Sequence, residues 1–252
     1  MSGHFKNKSV LVTGAAGGIG AAVVKQFSQS GARIVAADLP GPDLDQLVAS
    51  NPGVLVMPGD LGQAEYCDTL PRQVAEQFGG LDIVINNAGL MRRGSILDTT
   101  DDDWHQTMSI NVDAIFRICR QSIRIMKQNG GGAIVNTASC WGIHPGPNHL
   151  AYCTSKAAVA SMTQCMARDH AGDGIRINAV CPNEVNTPML RTGFKIRGLD
   201  PDTAVRELNQ SVPLGRIAEP EEIASSIAFL ASDQASYLCG TLLEVNGAKP
   251  VY

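Results

Sequence analysis

The chain has no Cys-x-x-Cys pair and no cluster of histidines, and its seven cysteines are an odd number. A disulfide framework and a zinc site are therefore not expected, no metal is assigned, and reduced buried thiols in a cytoplasmic protein are the default. A basic surplus is missing as well: 20 Lys and Arg stand against 24 Asp and Glu, a net charge of −4, which argues against a nucleic-acid surface. No apolar run is long and clean enough to span a bilayer, so no membrane partner is expected. The opening residues, Met-Ser-Gly-His-Phe-Lys-Asn-Lys, lack the apolar segment of a secretion signal. Repeats, linkers and low-complexity tracts are absent too. What is present is ordinary globular composition, 44% hydrophobic and 17% charged, over 252 residues, enough for one large α/β domain.

Charge is also missing locally. No Asp, Glu, Lys or Arg lies between Lys127 and Lys156, so a single cation ends a long uncharged run. Tyr152 and Lys156 are four apart in a helix-compatible segment, which places both on one helix face. At about 4 Å and an effective dielectric near 20, an ammonium would favour a phenolate by roughly 4 kcal/mol before screening and desolvation. That predicts a phenol lowered by about two to three pKa units, close to the working range of a general base. The bland alternative is a core tyrosine with a solvated lysine, and Tyr-x-x-x-Lys alone favours it.

Along the chain, Ser9–Thr13 reads as a buried strand, followed by Gly14-Ala-Ala-Gly17-Gly18-Ile19-Gly20 and a helix that Gly31 stops. Arg33–Asp38 is a second strand, broken by Leu39-Pro-Gly-Pro. Strand, glycine turn, helix and strand make a βαβ unit and imply a parallel sheet. Further strands are expected at Val54–Met57, Asp82–Asn86, Ala133–Thr137, Ile175–Val180 and Thr241–Val245. Helices are expected at Ala64–Phe78, Asp101–Lys127, around Tyr152 to about His170, and Pro220–Leu230. The pattern predicts one doubly wound α/β domain over residues 1–252, Rossmann-like, with a parallel seven-stranded sheet and helices on both faces. A helical excursion at about 188–210 interrupts the alternation and is placed over the substrate.

Glycines between the first strand and helix let the backbone approach a pyrophosphate at the helix N-terminus. The turn follows a strand, opens a helix, and has an acid about 20 residues on, Asp38. A carboxylate there accepts the adenosine ribose hydroxyls and repels a 2′-phosphate, and no Arg or Lys lies in the turn, where Gly17 stands. The cofactor expected is NAD rather than NADP. The alternative makes Asp38 a turn residue before Pro40.

At this point the chain resembles the short-chain dehydrogenase/reductase family, in its compact single-domain form, over nearly its whole length. The resemblance rests on Thr13-Gly14-x-x-x-Gly18-Ile19-Gly20, on Asn86-Asn87-Ala88-Gly89, on Asn111, and on Ser139, thirteen before Tyr152, with Lys156 four after. It implies a catalytic set of Asn111, Ser139, Tyr152 and Lys156. Tyr152 would take the alcohol proton, Ser139 would bind that oxygen, Lys156 would lower the phenol pKa and bind the nicotinamide ribose, and Asn111 would hold a relay water. By the same resemblance Asp38 and Leu39 would face the adenosine ribose, Asp60 and Leu61 the adenine, and Asn87, Ala88 and Gly89 the ribose and pyrophosphate. Pro182, Val185 and Thr187 would hold the nicotinamide end. Two positions depart from the family pattern. Asn183 stands where glycine is usual, to reach the substrate or to adopt a turn conformation that Asn tolerates. Asn246-Gly247-Ala248 differs near the C-terminus.

Substrate identity has to come from residues around the catalytic set. Trp141, His144, Asn148 and His149 fall between Ser139 and Tyr152 and favour a hydrophilic, polyhydroxylated substrate, such as a sugar. Arg92, Arg93 and Arg191 suit an anionic group, whereas Lys195 and Arg197 read as a solvated helix face. Cys140 and Cys153 read as inert buried thiols. The sequence thus predicts NAD-dependent oxidation of a secondary alcohol. The rivals are NADPH-dependent reduction of a 3-oxoacyl thioester, a nucleotide sensor without catalysis, and an epimerase or dehydratase, which would need a longer C-terminal domain. The family implies a homotetramer built through the helices near Asp101 and Tyr152.

Overall fold

A computed structural model of the chain describes residues 4–249. The first three residues, part of the opening stretch read above as lacking a secretion signal, and the last three lie outside the described residues.

Seven strands form one parallel sheet: β1 Ser9–Thr13, β2 Arg33–Ala37, β3 Leu55–Val56, β4 Ile83–Asn86, β5 Gly132–Thr137, β6 Ile175–Pro182 and β7 Leu242–Val245, in the order β3-β2-β1-β4-β5-β6-β7. The helices are α1 Gly18–Gln29, α2 Pro42–Ser50, α3 Ala64–Phe78, α4 Asp101–Met108, α5 Ala114–Gln128, α6 Cys140–Ile143, α7 Leu150–His170, α8 Pro188–Ile196, α9 Pro201–Gln210 and α10 Pro220–Ala231. Strand side chains alternate between two cores. Val10, Val12, Ile34, Ile85 and Val135 meet Phe27 of α1 and Ile227 of α10. Leu11, Val35, Val84, Ile134 and Ile177 meet Leu70 of α3, Ile118 of α5 and Val159 of α7. Burial of both sheet faces explains why the strands read as continuous apolar runs.

The order reverses at β1, which pairs with β2 on one side and β4 on the other. Loops leaving the carboxyl ends of β1 and β4 diverge there and open a crevice. The thirteenth residue closes its floor: Thr13 Oγ1 accepts from the main-chain N–H groups of Asn87 and Ala88, at 3.2 and 3.3 Å.

Five elements differ from the sequence reading. The stretch after Leu39 is more than a break, because Pro42 starts α2, with Asp43 and Asp45 in its first turn; proline is suited to that position and acids to that end. The single helix expected over Asp101–Lys127 is interrupted by a π-helical turn at Ser109–Asp113. The third strand shrinks to Leu55–Val56, at the sheet edge. The excursion is two helices, α8 and α9, and β6 runs on to Pro182, carrying that residue to the crevice. All seven cysteines are unpaired, with Cys165 and Cys239 exposed. Among the described residues no helix is long and apolar enough to cross a membrane.

Candidate active site

A cleft of about 920 Å³ runs from the glycine turn, past the ends of β1 and β4, to the face of α7. Gly14, Gly17, Gly18, Ile19, Asp38, Leu39, Asp60, Leu61, Asn87, Ala88, Gly89, Pro182, Val185 and Thr187 all line it. Gly20 does not: a Cβ there would lie 1.9 Å from the Gly14 carbonyl oxygen, so its role is to let α1 pack under the turn. A Cβ at Gly18 would lie 2.9 Å from Thr187 Cγ2, so this glycine admits the start of α8 beside the turn. The N-terminus of α1 has no side-chain cap and no acid in its first turn, leaving its amides for an anion.

Asp38 holds the turn and also faces the cleft. Its carboxylate accepts from the Ala16 and Leu39 main-chain N–H groups, both at 2.8 Å, and it lines the cleft. Each oxygen keeps a lone pair for a further donor. The lining beyond it is Pro40, Gly41, Pro42 and Asp43, so this end of the cleft carries acids and no cation. The glycine cradle, free helix amides and carboxylate together fit a dinucleotide.

At the other end, α7 presents Tyr152 and Lys156 one turn apart, and Ser139 caps α6, accepting from Trp141 N at 3.1 Å. Lys156 is 3% exposed and donates to the Thr137 carbonyl at 2.7 Å. Its Nζ lies 5.9 Å from the Tyr152 ring centroid. Burial pulls the ammonium down to about 8. Burial likewise pushes the Tyr152 phenol above its ordinary value, with the Ser139 hydroxyl pulling the other way. The expected lowering of the phenol by Lys156 is thus corrected. The ammonium is turned toward a carbonyl, and desolvation of the phenolate is the larger effect.

Asn111 sits in the π turn, fully buried. Its Oδ1 accepts from Leu90 N at 2.7 Å, while its Nδ2 donates to Leu90 O at 2.8 Å and Ser155 Oγ at 2.9 Å. The side chain therefore fixes the segment after Gly89, keeping one lone pair of Oδ1 free. A Cβ at Gly89 would lie 3.3 Å from Lys156 Nζ and 3.5 Å from that oxygen, which places the two groups over the same glycine.

Of the eight residues expected at the substrate, four line the cleft: Arg93, Trp141, His149 and Asn183. The other four face elsewhere. Arg92 meets Asp103 at 3.2 Å, Arg191 meets Asp202 at 2.8 Å, and His144 meets Glu244 at 3.5 Å. Asn148 has φ 58°, so the left-handed turn conformation belongs to it. Asn183 has no positive φ, so it does not take the left-handed turn conformation; it lines the cleft, and its Nδ2 is buried without a partner. Arg197, read from sequence as solvated, lines the cleft, while Lys195 does not. Leu90, Met91, Met189, Leu190 and Phe194 complete an apolar wall that sequence spacing did not mark. Burial raises the Cys140 thiol to about 12 and raises that of Cys153, as inert thiols require.

Comparisons with known proteins fit this geometry. A family model described as enoyl-(acyl carrier protein) reductase matches residues 14–247. The chain is 38% identical over 247 residues to a meso-2,3-butanediol dehydrogenase of Serratia marcescens, covering 97% of this chain and 95% of that protein. It is 34% identical to the 3-oxoacyl-[acyl-carrier-protein] reductase FabG of Thermotoga maritima, covering 97% and 98%. The crystal structure of levodione reductase superposes with a TM-score of 0.92 at 31% identity, covering 96% of this chain and 97% of that one.

Proposed function

The chain belongs to the short-chain dehydrogenase/reductase family of oxidoreductases, and from that premise we propose that it oxidises a secondary alcohol on a hydrophilic hydroxy compound, a sugar among the candidates, with NAD. The observation that carries this reading is the convergence of Ser139, Tyr152 and Lys156 at one end of a cleft that begins at the glycine turn and Asp38. When bound, NAD supplies the hydride acceptor. The chain supplies the rest. Ser139 Oγ donates to the substrate oxygen and orients it, a preorganised contact worth about a hundredfold in rate. Tyr152 Oη receives the alcohol proton. Lys156, anchored by Thr137 and 5.9 Å from the centre of the Tyr152 ring, would hold a hydroxyl of the nicotinamide ribose. Asn111 positions the wall above Lys156 and offers its remaining Oδ1 lone pair to a relay water.

Preference for NAD is supported by Asp38 and Asp43 lining the far end of the cleft. Repulsion of a 2′-phosphate at about 4 Å is worth several kcal/mol at an effective dielectric near 20. The butanediol relative supports a secondary alcohol as the reacting group. On the same family premise we place the protein in the cytoplasm as a homotetramer built through α4, α5 and α7, where Phe116 of α5 stays 49% exposed.

The test is an assay of purified protein against sugars, hydroxy acids, diols and simple secondary alcohols with NAD or NADP. NADH formation with a hydrophilic alcohol, about a hundredfold slower with NADP, supports the reading. Its loss by about a thousandfold in Tyr152→Phe, with NAD affinity kept, assigns the base. Activity only as NADPH-dependent reduction of a 3-oxoacyl thioester overturns it, and nucleotide binding without turnover leaves a sensor.

A further inference from the structure

Among the described residues the cleft lining carries two arginines without an acidic partner. Arg93 and Arg197 both line the cleft, and the charges of both act on the imidazole of His149, another lining residue. Among the described residues neither guanidinium has a carboxylate within 4.0 Å, whereas Arg92, Arg191 and Arg216 are paired with Asp103, Asp202 and Glu222. The acid on this side of the lining, Glu184, is taken by Lys249 at 2.6 Å.

Their placement is built rather than incidental. Gly94 N donates to Asn148 O at 2.9 Å and Leu150 N donates to Gly94 O at 3.1 Å. This bridge clamps the segment carrying Arg93 to the start of α7, two residues from Tyr152. Arg197 ends α8 as its C-cap residue, and Phe194, three residues before it, is buried and lines the same cleft. Burial, and after it the charge of Arg197, pull the Arg93 guanidinium below its ordinary value. Like charges held together without a counter-charge mark a place where an anion is favoured.

Deeper in, two polar atoms await partners. His149 is 3% exposed, its Nδ1 is bonded to the Pro147 carbonyl at 2.8 Å, and its Nε2 is unpartnered. With Nδ1 donating, Nε2 is an acceptor. Asn183 Nδ2 is the second, a donor. Buried polar atoms left unpaired are costly, so both favour a ligand that pairs them. Around them Met91, Trp141, Met189, Leu190 and Phe194 leave little to bind a ring of hydroxyls.

We propose that Arg93 and Arg197 form an anion subsite, so that the substrate is a hydroxy compound bearing a carboxylate, sulfonate or phosphate on the side of the molecule away from the cofactor. This rests on the dehydrogenase reading above and narrows its substrate class.

The experiment uses matched probes: 4-hydroxypentanoate against its methyl ester, 2-hydroxypropane-1-sulfonate and 2-hydroxypropyl phosphate against their neutral esters. Each is read as kcat/KM with NAD and as a thermal shift of the NAD-bound protein. The wild type favours one class of acid over its ester by about a hundredfold, and Arg93→Gln or Arg197→Gln each removes about tenfold of that ratio. The anion preference fades at high salt, while the ester rate stays level. Arg93→Lys with Arg197→Lys retains most of the ratio, separating charge from a packing defect. Equal use of acids and esters, or a preference that survives Arg93→Gln/Arg197→Gln, overturns the subsite and leaves the dehydrogenase standing. An arginine-dependent thermal shift by acids without turnover overturns the dehydrogenase and leaves the subsite. Silence in both readouts overturns both.

Discussion

Lys156 holds the Thr137 carbonyl at 2.7 Å, while its Nζ stays 5.9 Å from the centre of the Tyr152 ring. The buried ammonium is thus tied to β5, and its pKa is drawn down from 10.5 to about 8 by desolvation. Below pH 8 both folded and unfolded chains carry this proton, and the folded state bears the cost of a buried charge. Between pH 8 and 10.5 the unfolded chain holds more protons, so this group adds stability as pH rises, up to about 1.4 kcal/mol per unit. Buried thiols such as Cys67 and Cys119, raised to about 11 and about 12, act oppositely above pH 9. They cancel in the difference between two variants. We expect the stability of Lys156→Met relative to wild type, from urea unfolding, to decline between pH 8 and 10. A constant difference would show that the ammonium is not desolvated.

Asp38 yields a second prediction, because one carboxylate both ties the glycine turn through Ala16 and faces the cleft. Asp38→Asn with Leu39→Arg removes the repulsion of a 2′-phosphate and supplies a cation for it. The ratio of NADP to NAD efficiency should rise by about a hundredfold. A cost of about 1 kcal/mol in stability should accompany it, since one of the two amides at 2.8 Å loses its acceptor. Fluorescence titration of both nucleotides, beside a melting curve, separates the two effects. An unchanged ratio would mean that Asp38 serves the turn alone.

How legible all this was depended on the range of the interactions. The spacing of Tyr152 and Lys156 is helix geometry, and Asp38 stands where a strand ends, so both were readable locally. The π turn was not, because it answers to Asn111 meeting Leu90 twenty-one residues away. Nor did composition separate two asparagines near the pocket. Asn148 adopts φ 58° and turns the chain, while Asn183 lines the cleft with an unpaired amide. Arg197 is exposed as the sequence suggests but also lines the cleft, whereas Arg92 and Arg191 are turned to Asp103 and Asp202, pairings that no local pattern announces. The register of a loop against a pocket is tertiary information, and charge in the sequence carries no trace of it.

Asn111 offers a third prediction. Both main-chain groups of Leu90 are satisfied by its amide, at 2.7 and 2.8 Å. Asn111→Ala leaves a buried N–H and C=O unpaired and should destabilise by about 2 to 4 kcal/mol. Asn111→Asp, its carboxyl kept protonated by burial, keeps the acceptor and one donor in place of the two that reach Leu90 O and Ser155 Oγ, so its effect should be intermediate near neutral pH. Because the segment after Gly89 leads to Met91 and Arg93 in the cleft wall, KM should rise in both variants alongside the stability loss. Normal KM and normal stability in Asn111→Ala would show that Leu90 finds other partners.

The last prediction concerns a helix far from the chemistry. Glu222 accepts from Arg216 through both oxygens, at 2.6 and 2.7 Å, and from Glu219 N at 2.9 Å, closing a capping box at the start of α10. The Arg216 pair is the main reason its carboxyl is held down at about 2 instead of 4.5, with the Glu219 amide second. A depressed folded pKa means that this stabilisation is complete above pH 4.5 and is lost as pH falls toward 2. The side chains are 49% and 41% exposed, so solvent screening reduces the pair well below what the shift alone implies. About 1 kcal/mol is the expected contribution near neutral pH, most of it from the cap. Glu222→Gln keeps an acceptor oxygen for Glu219 N but loses the charge. Its stability deficit against wild type should therefore be small at pH 6 and shrink further as the pH falls from 4.5 toward 2. Glu222→Ala should lose the full amount near neutral pH. A deficit of Glu222→Gln that stays constant down to pH 3 would assign α10's stability to packing of Ile223 and Ile227 alone.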